Sequence, residues 1–338
     1  MTDSAKIWPL NGVVPLTHLG VIQVEGEDAA KFIHGQLTQD FSLLGMDAAR
    51  LAAFCSPKGR MLASFIGYKK SSDEILLVCN LDILPQTMKR LSMFVMRAKL
   101  KLSDASSEFD IYGLLGNAVD TIEKIAPQAI NTPATGQFDT QTWIKLRPAL
   151  SRNRALLLAP AGSTAPAGET ISNELWQWTD VMAGIAHIST PIVEAFVPQM
   201  LNYESVEGVN FKKGCYPGQE VVARSQFRGT LKRRAYLAQM DDANAQPAVG
   251  QEVFHSNDAE QACGTVAQVA ANPNGGITAI VSMRISERAV ERCISLGPSV
   301  SRRRCASISD KPCSNPMVHY VPIMTWWELT QRNSVAAV

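Results

Sequence analysis

Asn210-Phe211-Lys212-Lys213-Gly214-Cys215-Tyr216-Pro217-Gly218-Gln219-Glu220-Val221-Val222-Ala223-Arg224 places one thiol in a tight Gly/Pro turn. Two lysines precede it, and the segment from Gln219 to Gln226 reads as a short helix whose arginine continues the positive charge. A helix N-terminus and neighbouring Lys or Arg side chains stabilise a thiolate, the form of cysteine that attacks electrophiles and binds metals. The pattern therefore predicts a reactive Cys215 rather than the inert, half-buried residue that a free cysteine often is. Gly214 and Gly218 allow backbone angles or close approaches that a Cβ forbids, and Pro217 fixes the chain direction.

Moving outward, Lys212 to Arg234 holds seven basic residues (212, 213, 224, 228, 232, 233 and 234) against one acid, Glu220. Such a run is a solvated basic face or an anion site for phosphates or a polycarboxylate. Nucleic acid is a further reading, without aromatic interleaving or a known RNA module to support it. Glu194, Glu204 and Glu207, the nearest upstream carboxylates, are expected to be exposed.

The whole chain sets wider bounds. Its 338 residues exceed what one core usually serves, so two or three domains are expected. Apolar residues at 46%, charged residues at 19% and a net charge of +1 fit an ordinary globular protein with no strong overall field. Seven cysteines without a CxxC indicate neither a disulfide framework nor a zinc knuckle, and point to a reducing compartment. With no targeting segment and no apolar run of membrane-spanning length, the expectation is a cytoplasmic protein with no membrane partner.

Periodicity gives the elements. A strand is expected at 19–25 and a helix at 29–37, N-capped by Asp28, in which His34 is expected to be exposed or hydrogen-bonded rather than catalytic. A hairpin follows at 51–68 around Pro57-Lys58-Gly59, then a strand at 74–80 and a helix at 81–98 with Leu84, Met88, Leu91 and Val95 on one face. Further strands fall near 100, 111–115, 142–146 and 155–158, and a helix at 172–184 carries Trp176 and Trp178. Two residues apart on a helix point different ways, so at most one of these indoles should face a pocket. Strands from 235 to 282 suggest a small antiparallel barrel or sandwich. The class expected is α+β, in three parts: 1–234, 235–283 and an atypical tail at 284–338. That tail has seven arginines, one lysine and three of the cysteines with little periodicity, and reads either as a basic extension or as translation out of frame.

At the cysteine turn, Lys213-Gly214-Cys215-Tyr216-Pro217-Gly218-Gln219-Glu220 resembles the K-G-C-Y-x-G-Q-E signature of the YgfZ family, folate-binding proteins similar in fold to the glycine-cleavage T-protein. Supporting stretches are Gly26 to Ala29, Gln36 to Asp40, Pro57 to Arg60, Val197-Pro198-Gln199 and Phe227-Arg228-Gly229, so the resemblance spans about residues 10 to 283. It implies an α+β fold around a central opening, a bound reduced folate such as tetrahydrofolate, and support of iron-sulfur enzymes, including those that thiolate tRNA. Cys215 is then the functional thiol, with Trp176, Lys213, Tyr216, Gln219, Glu220, Arg224 and Arg228 as candidate folate contacts and no metal ligands. Leu19 stands where relatives place a second tryptophan, and Met182-Ala183-Gly184 replaces an acid-Ala-Gly, removing one pterin-binding carboxylate. The alternatives are a T-protein-like aminomethyltransferase, which the signature cysteine argues against, and an RNA-binding protein using 212–234.

Overall fold

A computed structural model describes residues 10–125, 135–138, 140–228, 231–240, 246–255, 258–285, 294–296 and 318–322. In chain order the first elements are β1 (Gly12–Pro15), β2 (Leu19–Glu25), α1 (Ala29–Gln36), β3 (Ala49–Cys55), β4 (Met61–Lys69), β5 (Glu74–Asn80), α2 (Leu84–Ser92) and β6 (Lys101–Asp104). Then come β7 (Phe109–Leu115), α3 (Asn117–Ile125), β8 (Thr135–Phe138), β9 (Gln141–Ala149), β10 (Arg152–Pro160), α4 (Asn173–Met182) and α5 (Gln219–Phe227). The chain continues through β11 (Arg233–Met240), β12 (Glu252–His255), β13 (Asp258–Ala271), β14 (Ile277–Arg284), β15 (Ile294–Leu296) and β16 (Val318–Pro322).

The strands form three sheets, of order β3-β4-β5-β2-β6, β1-β7-β10-β9-β8 and β15-β12-β13-β14-β11-β16. Among the described residues all the strand pairs are antiparallel, so the architecture is α+β. One apolar core joins the two five-stranded sheets through Ile22, Phe54, Leu77, Leu156 and the buried face of α4. Alternation along β7 and β10 sends Leu114, Ala155 and Leu157 to the opposite face, where Val119 and Ile122 of α3 cover them. The third sheet has its own core around Tyr236, Val253, Val266 and Val281.

Several local expectations change. Asp28 precedes α1 but makes no side-chain cap; its carboxylate accepts from the Lys99 main-chain N–H at 2.8 Å instead. The helix expected at 81–98 begins as a 3-10 turn at Leu81–Ile83 and its α-helical part ends at Ser92. Beyond it the chain turns, with Met96 at φ 44, and Met93, Phe94 and Met96 lie exposed. Ser172 does cap α4, its hydroxyl accepting from the Leu175 N–H at 3.2 Å. In the tail, β15 pairs with β12 and β16 with β11, so two short segments beyond residue 284 take places in the third sheet. Cys293, Cys305 and Cys313, together with the arginine run at 302–304, lie outside the described residues.

Candidate functional site: the cysteine turn and the Trp176 cavity

The turn that displays Cys215 is built against a turn far away in the chain, at Pro57-Lys58-Gly59. Gly218, at φ 79, precedes α5 and lies so close to the Pro57-Lys58-Gly59 turn that a Cβ on it would sit 2.4 Å from the Ser56 carbonyl oxygen. Gly59 returns the fit: at φ 69, its own Cβ would meet Val221 of α5 at 2.9 Å. The remaining motif stretches converge on the same place. Thr38 Oγ1 donates to the Gly208 carbonyl at 2.6 Å, Asn210 N–H donates to the Thr38 carbonyl at 2.9 Å, and Gln199 Nε2 donates to the Val222 carbonyl at 2.7 Å.

Cys215 is exposed, whereas Cys55, Cys79 and Cys263 are buried. Burial pushes the Cys55 and Cys79 thiols up to about 12, leaving them inert. Lys213 does not face solvent. It is only 8% exposed, and its ammonium donates to the carbonyls of His34 (2.5 Å) and Leu37 (2.8 Å), satisfying free acceptors at the end of α1. Its Nζ also lies 4.6 Å from the centroid of the buried Tyr216 ring. Burial lowers the Lys213 pKa to about 8 against the opposing pull of Asp40 and Cys215.

This geometry corrects the reading of 212–234 as one basic patch. Lys213 is buried, Arg224 pairs with Glu220 one helical turn away at 2.5 Å, and Arg234 pairs with Glu204. Glu204 is therefore largely buried, not exposed as expected; its side chain is 10% accessible. Lys212, Arg228 and Lys232 are exposed and Arg233 is half-buried, none with an ion-pair partner among the described residues. Gln219 is half-buried at the start of α5, and Gly229 is not among the described residues.

Trp176 belongs to a different place. It lines a small cavity between the two five-stranded sheets, together with His18, Leu19, Cys79, Asp180 and His187. None of Cys215, Lys213, Tyr216, Gln219, Glu220, Arg224 and Arg228 lines it. The site residues expected from sequence thus fall into two groups. Trp176, 2% exposed, lies flat against Gly113 of β7, where a Cβ would meet its ring at 2.6 Å. Trp178 points away, its Nε1 donating to Thr278 Oγ1 at 3.2 Å, so one indole of the pair serves the cavity.

Asp180 was not legible as a site residue, although it follows Trp176 by one helical turn and shares its face. It forms a buried ion pair with Arg154, whose guanidinium carbon stands 4.5 Å from the Trp176 ring centroid. Burial alone would raise the Asp180 pKa; Arg154 and His187 outweigh it and hold the group at about 2. His187 Nε2 is 3.9 Å from the same carboxylate, and burial lowers the pKa of His18. The cavity therefore holds one carboxylate, Asp180, two residues before Met182. The cavity holds about 30 Å³, room for one or two waters. Among the described residues there is no group of three or more His, Cys, Asp or Glu placed to hold a metal ion, and no helix is long and apolar enough to cross a membrane.

No family model matches the chain. An uncharacterized protein of Haemophilus influenzae is 30% identical over 241 residues, covering 71% of this chain and 77% of its own length. The tRNA-modifying protein YgfZ of Hamiltonella defensa is 28% identical over 237 residues (66% of this chain, 68% of its own), and that of Vibrio vulnificus 28% over 246 residues (69% and 71%). Among solved structures, the glycine cleavage system aminomethyltransferase T of Bartonella henselae shares the fold with a TM-score of 0.61 at 15% identity, over 87% of both chains. The exposed thiol in its Lys-Gly-Cys-Tyr turn, the T-protein fold and these relatives agree: the chain belongs to the YgfZ family.

Proposed function

We propose that the protein is a folate-binding accessory factor in tRNA modification, supporting iron-sulfur enzymes, tRNA-thiolating ones among them, through Cys215. The observation that carries the folate part is that Trp176 and Asp180 line one small cavity. A pterin is a flat ring with an amino group and a ring N–H side by side on one edge. An indole gives such a ring an apolar neighbour, and an ionised carboxylate accepts both donors at once. At about 30 Å³ the cavity admits the ring only if side chains move, and the half-buried Leu19 and His18 are the ones placed to do so. Tetrahydrofolate would be held by Trp176 and Asp180, with His18 and His187 beside them.

The thiol part rests on Cys215 being the exposed cysteine of the signature turn. One thiol cannot enclose an iron-sulfur cluster, which usually takes four, so the role is transient ligation or redox chemistry on a client. Relatives named as tRNA-modifying proteins support the same setting. Methyl-group or aminomethyl transfer has only the shared fold in its favour, and fold does not carry function.

The test has two arms. Tetrahydrofolate titration followed by tryptophan fluorescence should quench saturably in the intact protein, lose most of its amplitude in Trp176→Phe and weaken in Asp180→Asn. Absence of any saturable signal would remove folate from the reading. In cells, Cys215→Ser should lower the activity of a tRNA-thiolating iron-sulfur enzyme; full client activity would remove the thiol.

A further inference from the structure

We propose that His34, oriented by Asp40, is the proton acceptor for the Cys215 thiol, so that the reactive unit is a Cys-His-Asp set drawn from the cysteine turn, α1 and the loop after it. The inference rests on the reading of Cys215 as the reacting group. In sequence His34 has no cysteine near it; the fold supplies one. His34 Nδ1 lies 3.0 Å from Asp40 Oδ1, and Asp40 also accepts from the Leu43 N–H at 2.9 Å. Burial works against an ionised Asp40, yet the Leu43 and Ser42 N–H groups and His34 together hold its carboxyl below the ordinary range. An ionised Asp40 can only accept, so the hydrogen sits on Nδ1 and a neutral ring presents Nε2 as a free acceptor.

That Nε2 faces the cysteine turn. A Cβ on Gly214, the residue before Cys215, would stand 3.4 Å from it, and Nε2 has no hydrogen-bond partner among the described residues. Lys213 then fixes the register: by donating to the carbonyls of His34 and Leu37 it ties the turn to the end of α1. Burial lowers the Lys213 pKa, and the charges of Asp40 and Cys215 pull it the other way. The titratable and charged groups about His34 are therefore Asp40, Lys213 with Tyr216 beneath it, and Cys215; Lys31, a turn earlier on α1, is exposed.

As the sulfur attacks an electrophile, the S–H proton passes to His34 Nε2, directly or through one water, and Asp40 stabilises the imidazolium that results. With iodoacetamide as the probe, the S–C bond forms, iodide leaves with the C–I electron pair, and His34 later releases the proton to solvent.

The experiment measures the rate of iodoacetamide alkylation of Cys215 in the full chain across pH, read by peptide mass spectrometry because the chain has seven cysteines. A free thiol is only a few per cent thiolate at neutral pH. The intact protein should show a reactive limb near neutrality; His34→Gln should lose it, slowing by about tenfold, and Asp40→Asn should lose a few-fold. Profiles of both variants that superimpose on the intact protein would overturn the inference. Should His34→Gln fail to fold by circular dichroism, Asp40→Asn alone decides by the same criterion. Client activity in Cys215→Ser cells reports separately on the proposed function, so either reading can fail alone.

Discussion

Gly59 and Gly218 lie back to back, each at positive φ, with the Gly59 Cα 2.7 Å from where a Gly218 Cβ would be. The approach lets the Pro57 turn serve as the floor of the turn that presents Cys215. Gly218→Ala should therefore cost more than the roughly 1–2 kcal/mol of a left-handed backbone alone. Gly162→Ala is the control, since Gly162 has the same φ of 79 and open space around it. Urea unfolding should rank Gly218→Ala well below Gly162→Ala, and equal losses would show that the two turns separate easily.

Gly113 is the seat of the Trp176 ring. Gly113→Ala pushes a methyl group into that ring, a small-to-large change that typically costs about 1–3 kcal/mol. Thermal unfolding should move down by several degrees and tetrahydrofolate quenching should fall with it. A variant that kept both would show that the indole has room to slide.

Arg154 is fully buried and its charge is met by Asp180 and the Trp176 ring. Removing one partner leaves an uncompensated charge in the core, so Asp180→Asn should destabilise by about 3–5 kcal/mol, whereas Arg154→Leu with Asp180→Leu should lose far less. The pH dependence has a definite sign. A carboxyl depressed from 3.8 to about 2 contributes stability that is complete above its unfolded value and lost as pH falls through that window. Acid unfolding of the double variant should accordingly be less steep between those values than that of the intact protein.

Lys213 gives the opposite slope. Its pKa falls from 10.5 to about 8 on folding, so between those values the unfolded chain binds more protons and stability rises with pH. The cost of burying the ammonium is present in full below about pH 8. Compared with Lys213→Met, the intact protein should gain stability from pH 7.5 to 10, as denaturant midpoints would show; parallel curves would mean that the ammonium is not desolvated.

Four cations of the 212–234 run lack an ion-pair partner among the described residues: Lys212, Arg228, Lys232 and Arg233. If this face alone binds tRNA, the slope of log affinity against log salt should be no steeper than about −4, at roughly 0.9 per phosphate contact. A steeper slope would require cations elsewhere on the molecule.

Much of the fold was legible along the chain. Alternation in 19–25, 51–68, 74–80 and 155–158 gave strands that the structure contains, and the Lys213 to Glu220 run led to the family. Strand and helix periodicity are local, and so is the chemistry of a Gly-Cys-Tyr-Pro-Gly turn. The end of α2 was overextended, because its apolar spacing ran on through Val95 while the backbone turned left-handed at Met96. Other features depended on which distant segments met. Charge counting could not show that Lys213 spends its donors on the carbonyls of α1, or that Arg234 is answered by Glu204. Nor could spacing show Asp180 closing on Arg154, or His34 facing the cysteine turn. The sequence by itself determined the strand pattern, the family and the Gly/Pro turn that carries Cys215, since these depend on neighbours within a few residues. Which charges are buried, which are free and which imidazole faces the cysteine turn were decided only when the sheets packed, because desolvation and hydrogen bonding are set by groups that tertiary structure brings within a few ångströms.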